Sequence, residues 1–401
     1  MSSAIKRRNF LKLLGLSASA AIVSTKKIFP DNLQYANNRP AKTNNRFQST
    51  LFAGTYTNGK SKGIYSFNFD TITGELNQKN VCGDVVNPSF LAIDNKREFL
   101  YAVSETDEYD GKKSGGVYSY KIDGDEGKLH LINSVPSNGA HPCHIIVDKN
   151  DCFVLVANYS GGNISVIKLN EDGSLGETVD VVQHSGSSVN KQRQEAPHAH
   201  SINLDSSNKF AVAADLGLDK LMLYNFDNKT GKLIPAEQKF VAAKPGAGPR
   251  HFAFHPGGEF AFAINELDCT ITAFRFDTNS HELEPAQTVP TLPVDYKGEN
   301  TCAEIQVHPN GKFIYGSNRG HDSIAVFSFV AVSGNLFLNQ HQSTMGKTPR
   351  NFVIDPTGKF LLVANQSSDS VIVFSIDLAT GRLYETGKKI EIPNPVCLLF
   401  V

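Results

Sequence analysis

Short apolar runs separated by turn residues make up most of the chain from residue 49 onwards. Two clear copies of one pattern cover residues 249–260 and 349–360, each with an apolar strand, a Gly- and Pro-containing turn and a second apolar strand. A third strand follows, as at residues 371–374, and a turn at 380–383 leads to a fourth. The pattern recurs with a period of about 50 residues, and four strands in such a period are typical of a β-propeller blade.

The two ends of the repeat complete each other. Residues 51–56 match the second strand of the pattern and residues 63–67 match the third, whereas residues 395–401 match a first strand alone. Pairing the last strand with the strand at residue 51 removes a free sheet edge and locks the ring. The sequence therefore predicts an all-β fold, a seven-bladed β-propeller whose first blade is closed by the C-terminal strand.

The predicted strand order assigns polar residues to faces. The first strand of each unit runs from one face, called the top, to the bottom, and the second strand returns. His255 and His308 fall between these two strands, so we interpret them as residues of bottom turns. Five histidines belong instead to the top face or the upper channel: His144, His198, His200, His251 and His321.

Aligned top-face positions differ in chemistry although the framework around them repeats. Where strand one begins, the units carry residues such as Arg250 and Glu304, and after strand two they carry Glu266 and Arg319. A ring points these positions towards one central mouth, where such groups can hold an anion, polarise a carbonyl and move a proton. A polar, water-filled channel with mutually paired charges is the alternative. We assign substrate binding to five further residues: His144, His251, Glu304, Asn158 and Asp215.

The pattern Pro197-His198-Ala199-His200 is the sharpest local feature. Two imidazoles in an H-x-H pattern share one face of a strand, as in metal sites. No compact third ligand follows in the sequence, and nearby arginines disfavour a cation, so we expect no metal. The sequence also lacks a G-x-S-x-G nucleophile motif, a phosphate loop and a dinucleotide fingerprint, so we expect no cofactor.

The N-terminal segment is basic, and the rest of the chain is mildly acidic. Net charge is −1 overall, although residues 1–27 contain six Lys or Arg and no acid. Arg7-Arg8 followed by the apolar stretch 13–23 resembles a twin-arginine export signal. The apolar stretch is too short to span a bilayer. We therefore expect a signal segment at 1–27, a flexible linker at 28–48, a propeller domain at 49–401 and a periplasmic location, or a cytoplasmic one without the signal. An acidic body argues against nucleic-acid binding, and no later segment suits a membrane span.

Six cysteines are present, and none forms a C-x-x-C pair. Most fall in apolar β-patterned segments, which favours buried thiols. Cys143 and Cys152 lie on neighbouring predicted strands, so they form the one disulfide pair that the sequence suggests for an oxidising compartment.

Several of these segments together resemble one protein family. The resemblance covers about residues 49–401 and rests on Leu51–Thr57, Pro197–His200, Gly248–His251, Asn265-Glu266 and Ser317–Gly320. They are similar to the lactonase family of seven-bladed propellers, which includes propeller-type 6-phosphogluconolactonases and fungal carboxy-cis,cis-muconate cyclases. The resemblance implies a cofactor-free lactonase or lactone-forming enzyme. It also implies a catalytic set of His198 or His200 with Arg250, Glu266 and Arg319.

The resulting hypothesis is a monomeric enzyme acting on a small, anionic lactone. Arg250 and Arg319 would bind the anion and the developing charge, while a His or Glu266 would act as general base on water. A muconate-type cycloisomerase and a non-catalytic binding propeller of the cell envelope are the alternatives. Because 6-phosphogluconolactone arises in the cytoplasm, an export signal would favour another sugar lactone, and the substrate stays open.

Overall fold

A computed structural model describes residues 48–124 and 127–401. Within these ranges the chain forms seven four-stranded antiparallel sheets, so the predicted seven-bladed propeller is confirmed. The predicted signal segment at 1–27, and all but the last residue of the predicted linker at 28–48, lie outside the described residues. No helix in the described ranges has the length and apolar character to cross a membrane.

Blade 1 joins the first and last strands of the propeller, as predicted. From the channel outwards its strands are β28 (Pro395–Phe400), β1 (Gln48–Thr55), β2 (Ile64–Asp70) and β3 (Leu76–Cys82). β28 and β1 pair antiparallel, with Leu51 opposite Phe400. Last and first strands of the domain are therefore held by one hydrogen-bond ladder.

The other six blades each use four consecutive strands, again from the channel outwards. Blade 2 has β4 (Leu91–Ile93), β5 (Phe99–Ser104), β6 (Gly116–Asp123) and β7 (Lys128–Pro136). Blade 3 has β8 (Pro142–Val147), β9 (Phe153–Asn158), β10 (Asn163–Leu169) and β11 (Leu175–Gln183). Blade 4 has β12 (Ala199–Leu204), β13 (Phe210–Asp215), β14 (Lys220–Asp227) and β15 (Lys232–Ala242).

Blades 5 to 7 complete the ring. Blade 5 has β16 (Pro249–Phe254), β17 (Phe260–Asn265), β18 (Thr270–Asp277) and β19 (Glu282–Pro290). Blade 6 has β20 (Thr301–Val307), β21 (Phe313–Arg319), β22 (Ser323–Val330) and β23 (Asn335–Ser343). Blade 7 has β24 (Pro349–Ile354), β25 (Phe360–Asn365), a 3₁₀ turn (Gln366–Ser368), β26 (Ser370–Ile376) and β27 (Leu383–Glu391).

Burial within each blade explains the sequence pattern. The second strands, such as β9 and β17, are buried at every residue because neighbouring blades cover both of their faces. The outermost strand β19 is instead mostly exposed, and Leu283 is its one buried residue. The core lies between blades, where Phe210 and Val212 of blade 4 pack with Phe252 and Ala261 of blade 5. Burial of these apolar side chains is what holds the ring together.

The bottom turns are built by polar side chains that cap the backbone. Oδ1 of Asp148 accepts hydrogen bonds from the amides of Cys152 and Phe153, at 2.7 and 2.8 Å. In blades 5 and 6 histidine replaces this aspartate. Nε2 of His255 bonds the carbonyl oxygen of Gly311, and Nε2 of His308 bonds that of Gly358, both at 2.8 Å. Both histidines therefore belong to bottom turns, as predicted.

The suggested Cys143–Cys152 disulfide is wrong. The six cysteines are free thiols. Cys143 lies at the top end of β8, whereas Cys152 precedes β9 at the bottom, so the length of a strand separates them. Neighbouring strands place two residues close together only when they pair in register, and these two do not.

Candidate active site

A β-bulge opens the first strand of several blades and sets the direction of its site residue. In blade 5, Pro249 pairs with Asn265 and His251 with Ile264, which leaves Arg250 as the extra residue. The same register shift isolates three more residues: Cys143, His200 and Arg350. A bulged residue is released from the ladder and re-aimed, so these side chains converge at the top of the channel.

Glu266 lies at the centre of an arginine cluster. It follows β17, and its carboxylate is 3.0 Å from Nε of Arg250, 3.0 Å from Nη2 of Arg319 and 2.6 Å from Nη2 of Arg193. Burial alone would raise the pKa of this carboxyl, but the guanidinium groups of Arg319, Arg250 and Arg193 outweigh it and lower the pKa to about 2. Glu266 is therefore ionised at neutral pH and is a weak base.

The buried arginines are also held by backbone carbonyls. Nη1 of Arg250 donates to the carbonyl oxygen of Ala303, and Nη2 of Arg319 donates to that of Cys302, both at 2.7 Å. Burial, together with the charges of Arg319 and Arg350, lowers the pKa of Arg250 to about 10. Arg250 is still cationic at neutral pH, so a fixed positive charge faces the channel.

Three histidines form an imidazole cluster beside these arginines. The ring centre of His251 lies 5.4 Å from that of His144 and 5.4 Å from that of His200. Burial lowers the pKa of all three well below the usual value, and the charge of Arg250 adds to the effect. The rings are consequently neutral at pH 7, and each has one ring nitrogen with a lone pair.

Glu304 holds one of these rings in place. Its Oε1 lies 3.1 Å from Nδ1 of His251 and accepts a hydrogen bond from the amide of Ile305 at 3.0 Å. Its Oε2 accepts a hydrogen bond from Nδ2 of Asn351. Burial raises the pKa of Glu304 to about 7. When Glu304 is ionised, Nδ1 of His251 must carry the proton. Nε2 of His251 is buried and has no hydrogen-bond partner in residues 48–124 and 127–401.

Asn351 connects this pair to the closing strand of the ring. Its Oδ1 accepts the amide of Leu398 in β28 at 2.8 Å, which fixes Nδ2 towards Glu304. The orientation of Glu304 therefore depends on the same strand that completes blade 1.

A second set of polar and charged residues, from blades 1, 2 and 7, lies at the top of the channel beside Arg250 and His251. Nη2 of Arg350 donates to the hydroxyl of Tyr56, and that hydroxyl donates to Glu105, each at 2.8 Å. Together with Arg250 and His251, Arg350 and Glu105 line a small central cavity of about 10 Å³, which has room for about one water molecule. The cavity is therefore bordered by two cations, a carboxylate and the ring of His251.

A larger groove lacks this chemistry. It has a volume of about 640 Å³, lies beside the bottom ends of the outer strands of blade 5 and is lined by residues such as Glu259, Arg275 and Val332. Imidazoles are absent from its lining among the described residues, and its carboxylates are exposed. The top of the channel is the better candidate for catalysis.

The H-x-H pattern divides between two environments. His198 precedes β12 and stacks on Tyr159 with ring centres 4.4 Å apart, and its Nε2 lies 3.2 Å from Glu195. His200 is the bulge residue and joins the imidazole cluster instead. Within residues 48–124 and 127–401, no three His, Cys, Asp or Glu side chains are grouped so that they could bind a metal ion.

Two residues predicted to bind substrate lie in the framework. Nδ2 of Asn158 donates to Oδ1 of Asn163 at 2.7 Å, and Oδ2 of Asp215 lies 2.6 Å from Nδ1 of His184. Both side chains are fully buried. The structure brings the other eight predicted site residues to the top of the channel, with His198 at its margin: His144, His198, His200, Arg250, His251, Glu266, Glu304 and Arg319.

Four members of the site were not assigned from the sequence. Glu105 and Arg350 occupy the aligned top-face positions, and Tyr56 occupies the equivalent position in the composite blade, so the alignment could have identified them. Arg193 lies in the irregular loop before β12, where the repeat gives no alignment. Its side chain is 39% exposed, which places it at the rim of the cluster.

Comparison with known proteins gives a consistent result. The family described as Lactonase, 7-bladed beta-propeller matches residues 50–400. The 6-phosphogluconolactonase of Bacillus subtilis is 38% identical over 350 residues, covering 87% of this chain and 97% of that protein. The 6-phosphogluconolactonase of Formosa agariphila is 35% identical over 312 residues, covering 76% and 86%. The structure of a periplasmic gluconolactonase from Pseudomonas aeruginosa has a TM-score of 0.82 at 32% identity and covers 88% of this chain and 99% of that one.

Proposed function

The chain belongs to the lactonase family of seven-bladed β-propellers, and from this premise we propose that it hydrolyses a sugar lactone of the gluconolactone type at the top of the channel. One observation supports the proposal most strongly. A neutral imidazole with a free buried nitrogen, His251, lines the same small cavity as two guanidinium groups, Arg250 and Arg350. A base for water and cations for an oxyanion are what ester hydrolysis needs.

His251, paired with Glu304, is the proposed general base. Ionised Glu304 accepts a hydrogen bond from Nδ1 of His251, which leaves the lone pair on Nε2, and this nitrogen has no partner among the described residues although its ring lines the cavity. Nε2 takes a proton from water as the water oxygen bonds to the lactone carbonyl carbon. The carboxylate stabilises the imidazolium that forms, as in other acid–base pairs of this type. The sequence hypothesis placed this role on His198, His200 or Glu266, and the geometry favours His251.

The arginines supply charge stabilisation. As the carbonyl carbon becomes tetrahedral, its oxygen gains negative charge, and Arg250 or Arg350 would stabilise that charge within the cavity. The ring C–O bond then breaks, and the imidazolium of His251 returns its proton to the leaving alkoxide. The products are a carboxylic acid and a hydroxyl on one open chain, so one water is consumed for each lactone.

Glu266 acts as an anchor in this mechanism. Its single negative charge offsets part of the positive charge of Arg250, Arg319 and Arg193 and holds them at fixed distances. Oε1 is engaged by Arg193, and Oε2 is engaged by Arg250 and Arg319, so neither oxygen is free to accept a proton from water. Its contribution is therefore to position the guanidinium groups before substrate binds.

We further propose that the lactone is unphosphorylated and that the enzyme acts on it in the periplasm. The twin-arginine-like sequence at Arg7-Arg8 supports export, and phosphorylated sugar lactones arise in the cytoplasm. Fractionation of cells that express the full chain tests this directly. We expect the protein in the periplasm, and an Arg7→Lys/Arg8→Lys variant in the cytoplasm. Equal cytoplasmic amounts of both would refute export.

Turnover of a substrate panel tests the function. Full-length protein is mixed with glucono-δ-lactone, 6-phosphogluconolactone or a carboxymuconate, and acid release is followed against spontaneous hydrolysis, with and without chelator. We expect enzymatic hydrolysis of the lactones, faster for the unphosphorylated one and unchanged by chelator. Rearrangement of the muconate without lactone hydrolysis would support a cycloisomerase. Saturable glycan binding without any turnover would support a binding propeller.

A further inference from the structure

Two thiols meet at the boundary between blades 5 and 6. Cys269 lies in the top turn between β17 and β18, and Cys302 is the second residue of β20. Cys302 is fully buried, whereas Cys269 keeps 8% exposure. The two residues come from different blades, so their approach is a product of ring assembly.

A common set of polar groups surrounds both sulfurs. Nδ2 of Asn300 lies 3.2 Å from Sγ of Cys269 and 3.3 Å from Oδ1 of Asn318. That same Oδ1 lies 3.3 Å from Sγ of Cys302. Oγ1 of Thr291 lies 3.2 Å from Sγ of Cys302 and donates to the carbonyl oxygen of Cys269 at 3.0 Å. The thiols therefore lie within one small polar cluster.

The two thiols differ in acidity. Hydrogen bonding within the cluster, from the Cys302 side chain and from Asn300, lowers the pKa of Cys269 to about 7. Burial raises the pKa of Cys302 well above its usual value. A thiolate is the nucleophile in disulfide exchange, so Cys269 is the thiol that reacts first.

We propose that Cys269 and Cys302 form a redox-active dithiol that closes to a disulfide between blades 5 and 6. The oxidant is a disulfide, either a small molecule or a protein. The Cys269 thiolate attacks one of its sulfurs and releases the first thiolate. Cys302 then loses its proton and attacks Cys269 in the mixed disulfide, which releases the second. Two S–H bonds are lost, one S–S bond forms, and the oxidant is reduced to two thiols.

The disulfide would join the blades beside the arginine cluster. The amide of Cys302 donates to the carbonyl oxygen of Glu266 at 3.0 Å, and the carbonyl oxygen of Cys302 accepts Arg319 at 2.7 Å. A covalent link at this point restrains the backbone that holds both residues. Because a disulfide closing a loop of this size removes freedom from the unfolded chain, the melting temperature should rise by about 5 °C.

Thiol counting tests the proposal and does not depend on lactonase activity. Full-length protein is equilibrated with oxidised or reduced glutathione and quenched in acid. It is then unfolded in the presence of a maleimide, which labels free thiols, and its intact mass is measured. We expect two fewer maleimides after oxidation, and one linked peptide pair that contains residues 269 and 302 in a non-reducing digest. The melting temperature should rise by about 5 °C on oxidation.

Matched serine variants distinguish this pair from the other thiols. Cys269→Ser, in the turn, should abolish the linked peptide and the rise in melting temperature, whereas Cys152→Ser and Cys82→Ser should keep both. Equal maleimide counts in the two buffers would overturn the proposal. A stable glutathione adduct on Cys269, or a linked pair that involves any other cysteine, would also overturn it.

Discussion

Replacing Glu304 with glutamine should remove most of the activity while it preserves the fold. Both carboxylate oxygens face donors: Oε1 faces the amide of Ile305 and Nδ1 of His251, and Oε2 faces Asn351. A glutamine amide must turn its NH₂ group towards one of these sides. Asn351 cannot reverse to receive it, because its Oδ1 is engaged by the amide of Leu398.

Either orientation of the glutamine damages the catalytic pair. If its NH₂ group faces His251, Nδ1 of that ring becomes an acceptor and Nε2 carries the proton, so Nε2 no longer accepts a proton from water. If it faces Asn351, two donors oppose each other, which costs about 1–3 kcal/mol, and no negative charge supports the imidazolium. Loss of a general base typically lowers kcat by 10²- to 10⁴-fold, so we expect about a 10³-fold decrease in kcat for Glu304→Gln, or about 4 kcal/mol in activation free energy.

The pH profile provides the sharpest readout of this variant. Burial raises the folded-state pKa of Glu304 to about 7, and the active form is the ionised one. For the native protein, kcat/KM should therefore fall as pH decreases through about 7. In Glu304→Gln that limb should disappear and leave a flat residual rate, with KM changed by less than about threefold.

The control for this experiment is Glu284→Gln, the same substitution at an exposed position of β19. It should leave kcat and the pH profile unchanged. Native-like kcat in Glu304→Gln would refute the role of Glu304, and so would an acidic limb that stays near pH 7. A melting temperature within a few degrees of the native value confirms that the folded protein is being compared.

Three further predictions concern the arginine cluster and the ring. Glu266→Gln leaves buried guanidinium groups without their counter-charge, so urea unfolding should show a loss of about 3–5 kcal/mol in the free energy of unfolding; a loss below about 1 kcal/mol would contradict the anchoring role. Arg193→Ala removes the guanidinium group that contacts Glu266 at 2.6 Å from the rim, so kcat/KM for glucono-δ-lactone should fall about tenfold, and an unchanged kcat/KM would exclude a role for Arg193 in the cluster. Deleting residues 394–401 removes the buried side chains of Val396 and Leu398, each worth about 1.5–3 kcal/mol, and uncovers the edge of β1, so thermal unfolding should shift down by at least about 5 °C; an unchanged transition would refute closure by that strand.

The fold was predictable because the sequence pattern of one blade repeats along the chain. A single copy such as residues 349–360 is ambiguous, but alignment with residues 249–260 separates framework from variation. The orphan first strand at 395–401 then requires a partner, and only the start of the domain offers one. Periodicity therefore carried long-range information that local propensity lacks.

The same alignment grouped the candidate site residues but did not rank them. It placed Arg250, His251 and Glu304 together because ring geometry converges on the channel. It could not show that three arginines engage both oxygens of Glu266, or that Nε2 of His251 has no partner among the described residues, because both depend on side-chain directions. Which candidate base is free to accept a proton was therefore not predictable from the sequence.

The remaining wrong or missing predictions concern an irregular loop and contacts that depend on strand register or on neighbouring blades. Arg193 lies in a loop without a counterpart in the other blades, so no column revealed it. The Cys143–Cys152 suggestion relied on strand adjacency without register, whereas Cys269 and Cys302 approach each other across two blades. Contacts between units are set by the ring as a whole, and a single unit does not encode them.

A decisive comparison is that of kcat/KM for glucono-δ-lactone in the native protein, in Arg250→Ala and in the control Arg275→Ala. Arg250 lies in the buried cluster, whereas Arg275 lies on β18 with an exposed side chain, so the same change is made inside and outside the proposed site. We predict a decrease of about 10²- to 10³-fold for Arg250→Ala and less than about twofold for Arg275→Ala, with both variants folded. Equal rates in all three proteins, or a native rate no faster than spontaneous hydrolysis, would contradict the assignment of lactone hydrolysis to the top of the channel.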